Sequence, residues 1–315
     1  MNDNLGKRKV FHMKKLYGVT TAMTTPFGAN GNVDYAALEA QTRMLVAKGV
    51  HCLYPGGTTG EMLRLSIDER KKVAETVLRA SEKKVTVYIH CGAMRQDETI
   101  ELVQHAHSIG ADGAGVVTPQ FFGLNPREME EFYVTVANSV PADFPIYLYN
   151  IPQCAANDIS ATVAEHLAER CPNIIGIKYS FADINRTLDY LRIKDWGFSV
   201  MHGCDRVLVA MLALGCDGTV SGISGIFPEP FVAVYDAVQR NDWKAALEHQ
   251  KAAARITDIL KAGSNMGYFK AALKMRGING GHMRRPQLDL PEDEVEKLRI
   301  EVEKFCEDTG IALKV

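Results

Sequence analysis

Three short stretches of the chain carry side chains that could do chemistry together: Gly56-Gly57-Thr58-Thr59-Gly60-Glu61, Tyr149-Asn150-Ile151-Pro152 and Gly176-Ile177-Lys178. The lysine ends an apolar run from Ile174 that reads as a buried strand. By the period of two, Ile175 and Ile177 share one face of that strand, and Gly176 and Lys178 share the other. If Gly176 faces a crowded interior, Lys178 points into a mouth at the strand's end. A lysine placed there is partly desolvated, which disfavours its charged form and frees the amine to attack a carbonyl. The resulting Schiff base has a protonated nitrogen that acts as an electron sink for making or breaking a carbon-carbon bond. Tyr149 ends the preceding strand and can relay protons beside such an iminium, with Thr58 as its hydrogen-bond partner. Glycines such as Gly57 let the backbone approach a ligand closely, and Thr58 and Thr59 offer amide and hydroxyl donors suited to a small carboxylate. Together these groups describe a site for an α-keto acid.

The elements that must position them recur as one phrase: an amphipathic helix, a glycine, then a short apolar strand. It reads LVAKGVHCLYPGG around Gly49, AHSIGADGAGVVTP around Gly110 and LALGCDGTVSG around Gly215. Glycine just past a helix is the left-handed cap that ends it, and strands apolar on both faces belong to a buried parallel sheet. The pattern predicts eight strands, at 18–24, 50–54, 85–90, 113–117, 146–149, 174–178, 198–201 and 218–221. Helical patterns run between them, from Tyr35–Ala47 to Arg206–Leu214, and Ser66-Ile67-Asp68-Glu69 fits a capping box. Eight such alternations predict an α/β fold, a closed (β/α)8 TIM barrel over residues 16–240. Residues 241–315 read as a C-terminal helical extension for packing or oligomer contacts, and residues 1–15 as a flexible basic tail.

Composition narrows the partner. With 315 residues, 46% hydrophobic and 23% charged, the chain can bury a large core. A net charge of -2 leaves no basic face for nucleic acid, and no run reaches the roughly 18 apolar residues of a membrane span. The seven cysteines include no CxxC pair, which fits reduced thiols and a cytoplasmic location. GGTTG lacks the GxGxxG spacing and no GxxxxGK occurs, so no nucleotide cofactor is expected. His90 and His202 stand at strand ends where a metal could sit, but no HxH accompanies them and no metal is expected.

These motifs resemble those of the dihydrodipicolinate synthase and N-acetylneuraminate lyase group of class I aldolases. The likeness runs from TTAMTTPFGANGNVD (Thr20 to Asp34) through GTTGE, YNIP, GIK and the GCD turn (Gly203 to Asp205) to RRPQLDLP. It implies a pyruvate Schiff base on Lys178, Tyr149 as proton relay, the Thr58-Thr59 segment on the pyruvate carboxylate, and a homotetramer built from tight dimers. Dihydrodipicolinate synthases have an arginine two residues after the YNxP proline and a relay tyrosine after the fourth strand. Here those places hold Cys154 and the Gln120-Phe121-Phe122 loop. Sialic acid lyases share Ser180, Gly203 and Asp205, but their next acidic residue is Arg206 here, and a serine falls on Gly222. The resemblance places Ser180, Gly203, Asp205, Arg206 and Gly222 among the substrate contacts, with Arg206 a candidate receiver for an anionic aldehyde.

Three functions follow from these residues. The first is a lyase or synthase joining pyruvate or another 2-keto acid to an aldehyde. The second is a Schiff-base dehydratase of a sugar acid on the same lysine. The third is a keto-acid-binding protein without turnover, which Phe121 and Phe122 in place of the relay tyrosine would suit.

Overall fold

The computed structural model describes residues 13–315. The tail predicted over 1–15 therefore lies almost wholly outside the described residues. Eight parallel strands close into a barrel in sequence order: β1 (Gly18–Ala22), β2 (Cys52–Tyr54), β3 (Thr86–His90), β4 (Gly113–Val117), β5 (Ile146–Asn150), β6 (Ile174–Tyr179), β7 (Ser199–His202) and β8 (Gly218–Ser221). Between them lie α1 (Tyr35–Ala47), α2 (Ile67–Ser81), α3 (Gln96–Ser108), α4 (Pro126–Ala137), the single turn α5 (Pro152–Ala155), α6 (Ala161–Arg170), α7 (Ile184–Arg192) and α8 (Leu208–Leu214). The chain continues as α9 (Pro228–Gln239), α10 (Trp243–Ile259), α11 (Met266–Met275) and α12 (Glu292–Thr309). No helix among the described residues is long and apolar enough to cross a membrane.

Local chemistry explains where the helices start. Ser66 and Asn125 each form a complete capping box, with Glu69 and Glu128 as the reciprocating residues. Pro126, Pro152 and Pro228 occupy first-turn positions, where a missing N–H costs nothing. This proline effect starts α9 at Pro228, four residues before the apolar periodicity that begins at Val232.

Large tyrosines on some strands fill the barrel, and they fit because the facing strands carry glycine. A β-carbon at Gly113 would lie 2.4 Å from the Tyr88 ring, one at Gly115 would lie 1.7 Å from the Tyr54 hydroxyl, and one at Gly176 would lie 2.5 Å from the Tyr147 ring. Such pairing of large with small is how a closed barrel is filled without voids. Below this layer Leu16 plugs the bottom, its N–H donating to the Tyr147 hydroxyl at 3.1 Å.

Alternation along β6 is broken once. Ile146 pairs with Ile174 but Tyr147 pairs with Gly176, so a bulge intervenes at Ile175. Period-two counting puts Ile175 with Ile177; instead Ile177 packs into the outer core, while Ile175 packs on the interior cluster around Tyr147. The bulge precedes Gly176, so the inward direction of Gly176 and Lys178 is kept. The Gly176→Ala variant should lose about 1–3 kcal/mol of stability from overpacking, measured by urea denaturation. Gly123→Ala, in a loop with nothing within 4 Å of the added carbon, should leave the midpoint unmoved.

Candidate active site

Lys178 emerges from the last turn of the barrel into a cavity of about 300 Å³ at the C-terminal ends of the strands. Its residue is 4% exposed, and its Nζ lies 3.8 Å from the centre of the Tyr149 ring and 5.0 Å from that of Tyr54. Among the described residues it has no carboxylate within ion-pair distance. The chain's other deeply buried lysine, Lys270, is different: its ammonium sits 2.6 Å from Glu61 and 2.6 Å from the His282 carbonyl, above the Phe27 ring. Buried lysines are normally paired in that way. An unpaired one facing a cavity is a nucleophile's arrangement.

Tyr149 stands beside it because β5 and β6 pair with Tyr149 opposite Lys178. Its hydroxyl is 3.3 Å from the Thr58 Oγ1. Beneath it, the His90 ring packs edge-on at 5.7 Å between centres. Burial first, then the charges of Arg70 and Lys178, push His90 well below the usual imidazole range, so this ring is neutral. Arg70, itself buried, donates to the carbonyls of His90 and Gly92, both at 2.8 Å, and so ties α2 to the end of β3.

The Gly56–Glu61 loop is folded on itself, Glu61 N–H donating to the Thr58 carbonyl at 3.0 Å and Met62 N–H to the Gly57 carbonyl at 3.2 Å. Gly56 adopts φ 74°, where a side chain would be strained. Glu61 also takes a left-handed conformation, held by Lys270 on one oxygen and by Arg64 at 2.6 Å on the other. Thr58 and Thr59 thereby face the cavity, whereas Gly57 does not line it and packs between His90 and Tyr54.

Ser180, Gly203, Asp205 and Gly222 line the same cavity. Gly203 is required by space, since a β-carbon there would lie 2.1 Å from the Ser180 hydroxyl. Asp205 presents a buried Oδ1 that has no partner in the protein. Burial raises its carboxyl to about 7, against the pull of Ser221, Lys178 and the Ile223 backbone. At Gly222, Thr59 and Phe269 approach to 3.0 and 3.1 Å of the place a β-carbon would take.

Arg206 is corrected by the structure. Its side chain is 60% exposed, pairs with Asp258 on α10 and does not line the cavity. The 3-10 turn Asp205–Val207 sends adjacent side chains in different directions, and Arg206 meets its countercharge at Asp258. Phe121 and Phe122 also lie outside this cavity, 76% and 73% exposed and packed edge-to-face.

Sequence reasoning missed part of the wall. Gln153 arrives on α5 beside Cys154, which the resemblance had already marked, and Ala262, Gly263, Ser264, Met266 and Phe269 come from the α10–α11 junction. Three successive left-handed residues, Lys261, Ala262 and Gly263 (φ 54°, 50° and 73°), turn that junction over the barrel mouth. Pro152 at a helix start was a readable signal for α5, but nothing in the extension's sequence marks its reach back to the site. Of the two strand-end histidines, His202 is buried like His90, and no three His, Cys, Asp or Glu side chains cluster among the described residues.

Comparison with known proteins agrees with this geometry. The model of the "Dihydrodipicolinate synthetase family" matches residues 15–305. The chain is 32% identical to 4-hydroxy-tetrahydrodipicolinate synthase of Methanosphaerula palustris, over 85% of this chain and 92% of the relative. Dihydrodipicolinate synthase of Aquifex aeolicus superposes with TM-score 0.87 at 30% identity, covering 92% of this chain and 98% of that one. YagE of Escherichia coli K12, a prophage protein solved in complex with pyruvate, superposes with TM-score 0.87 at 28% identity, covering 93% and 99%.

Lys270→Met should destabilise the fold by about 1–3 kcal/mol, because it leaves one buried Glu61 oxygen without its partner while Arg64 still holds the other. The Lys270→Met/Glu61→Gln double variant should recover much of that loss in chemical denaturation. Equal losses in the single and double variants would mean that the ion pair does not hold this loop.

Proposed function

The chain belongs to the dihydrodipicolinate synthetase family and is an aldolase-type lyase, and we propose that it works through a Schiff base between Lys178 and pyruvate or a related 2-keto acid. The observation that carries this reading is the burial of Lys178 with no carboxylate within ion-pair distance among the described residues, on a cavity that also holds Tyr149, Thr58 and Thr59.

In this reading the amides and hydroxyls of Thr58 and Thr59 hold the keto acid's carboxylate. The Lys178 nitrogen adds to the carbonyl carbon and water leaves, giving a protonated imine. The imine draws electrons from the neighbouring carbon, which loses a proton to become an enamine. That carbon then bonds to the aldehyde carbon while the Tyr149 hydroxyl protonates the aldehyde oxygen, and water releases the product from the lysine. Cleavage is the same sequence reversed. The Thr58 contact supports a relay role for Tyr149, because it fixes where the phenol's proton can go. A pyruvate complex of YagE, a structural neighbour, supports the choice of keto acid. A sugar-acid dehydratase on the same lysine is the second reading, favoured by the Asp205 carboxyl on the cavity wall, raised by burial to about 7, which could protonate a departing hydroxyl. It is separated from the first by whether the product keeps all its carbons.

The homotetramer implied by the resemblance belongs to the same proposal. The exposed Phe121-Phe122 pair suits a contact between copies. Seven free cysteines support a reducing, cytoplasmic setting.

Intact-mass measurement after incubation with pyruvate and borohydride should show a reduced pyruvyl adduct on the native protein and none on Lys178→Ala. Tyr149→Phe should keep the adduct and lose roughly 10²–10⁴-fold in turnover. An adduct that survives in Lys178→Ala would place the chemistry elsewhere. Replacing both Phe121 and Phe122 by serine should shift sedimentation toward smaller species; an unchanged profile would remove this loop from the interface.

A further inference from the structure

We infer that the second substrate is a short neutral polyhydroxylated aldehyde, not one ending in a carboxylate or phosphate. This rests on the Schiff-base reading above and names the partner that the keto acid meets there.

The argument is the charge inventory of the cavity. Among the described residues that line it, the ionisable side chains are Tyr149, Cys154, Lys178 and Asp205. Lys178 is the one cation, and the imine consumes it at the keto-acid end. Among the described residues, cations near the mouth have carboxylate partners away from the cavity: Arg206 has Asp258, Arg186 has Asp158 at 3.1 Å, Arg64 and Lys270 have Glu61 at 2.6 Å each, and Lys261, over the Tyr268 ring, has Glu301 at 4.0 Å. A distal anion entering this cavity would give up its hydration with no cation to receive it. It would also meet Asp205.

What the wall offers instead is hydrogen bonding of both polarities. Gln153 donates to the Ser180 carbonyl at 2.6 Å, which fixes its amide at the rim and leaves its own oxygen open as an acceptor. The hydroxyls of Ser180 and Ser264 can donate and accept. The carboxyl of Asp205 lines the cavity beside Ser221 and the Ile223 backbone. A substrate hydroxyl suits it in both forms, since it donates to the carboxylate and accepts from the acid. With the carboxyl raised to about 7, both forms are present near neutral pH. The cavity of about 300 Å³ lies at the small end of ligand sites and limits the aldehyde to a short chain.

The test compares aldehydes of matched length on untreated enzyme, after borohydride trapping in a separate sample has established the pyruvate adduct. D-glyceraldehyde and D-erythrose are set against succinic semialdehyde and glyceraldehyde 3-phosphate, and pyruvate consumption is followed. The neutral pair should exceed the anionic pair in kcat/KM by at least about tenfold. Asp205→Ala should raise the KM for the neutral aldehyde and leave the KM for pyruvate in place, while Cys154→Arg, which adds a cation to the wall, should narrow the preference. An adduct in the trapped sample, together with turnover of the anionic aldehydes by untreated enzyme that equals or exceeds that of the neutral pair, overturns this inference and leaves the Schiff base standing. Absence of the adduct removes the Schiff base itself, and this inference with it.

Discussion

Everything at the barrel mouth depends on one unbalanced group, the Lys178 amine. It is buried to 4% exposure, and among the described residues no carboxylate lies within ion-pair distance of it. The same protein shows the balanced alternative in Lys270, where a carboxylate, a carbonyl and an aromatic face enclose the ammonium. Removing an amine from water is costly unless it is paired. Lys270 is paired, and its role is to anchor the Gly56–Glu61 loop to α11. Lys178 is left facing the cavity.

The frame that holds this amine is built from steric exchange across the barrel. Gly176 gives way to Tyr147, Gly115 to Tyr54 and Gly113 to Tyr88, so the interior is filled and the last inward side chain of β6 has only one direction left. Tyr54 and Tyr149 then flank the amine with ring faces, while His90, kept neutral by burial and by Arg70, adds no competing charge. The extension completes the enclosure: Arg276, fully buried against Glu229 and the Phe227 ring, ties α11 to the barrel, and the left-handed turn at Lys261–Gly263 brings its edge over the mouth.

Much of this was legible in the sequence because the relevant signals are local. Helix-capping glycines and buried apolar runs gave the eight strands to within two residues at each end, and alternation along one strand aimed Gly176 and Lys178 inward. The bulge at Ile175 escaped because it depends on how β5 and β6 pair, not on either strand alone. Arg206 was misjudged for a similar reason: its direction is set by Asp258, fifty-two residues away and on α10. The contribution of Ser264, Met266 and Phe269 to the wall was unreadable because it comes from tertiary packing of a segment with no motif. Thr58 and Tyr149 were legible as chemical types, and their 3.3 Å contact was foreseen only as a possibility that neighbouring strands allow.

The most direct test of the account is hydrogen exchange at pyruvate in deuterium oxide, followed by proton NMR with no aldehyde present. Enamine formation on Lys178 must release a methyl proton each time it occurs, so the account predicts loss of the pyruvate methyl signal with the native protein and none above buffer with Lys178→Ala. A methyl signal that persists with the native protein, or one that decays equally with the variant, would contradict the claim that this buried amine is the reacting group.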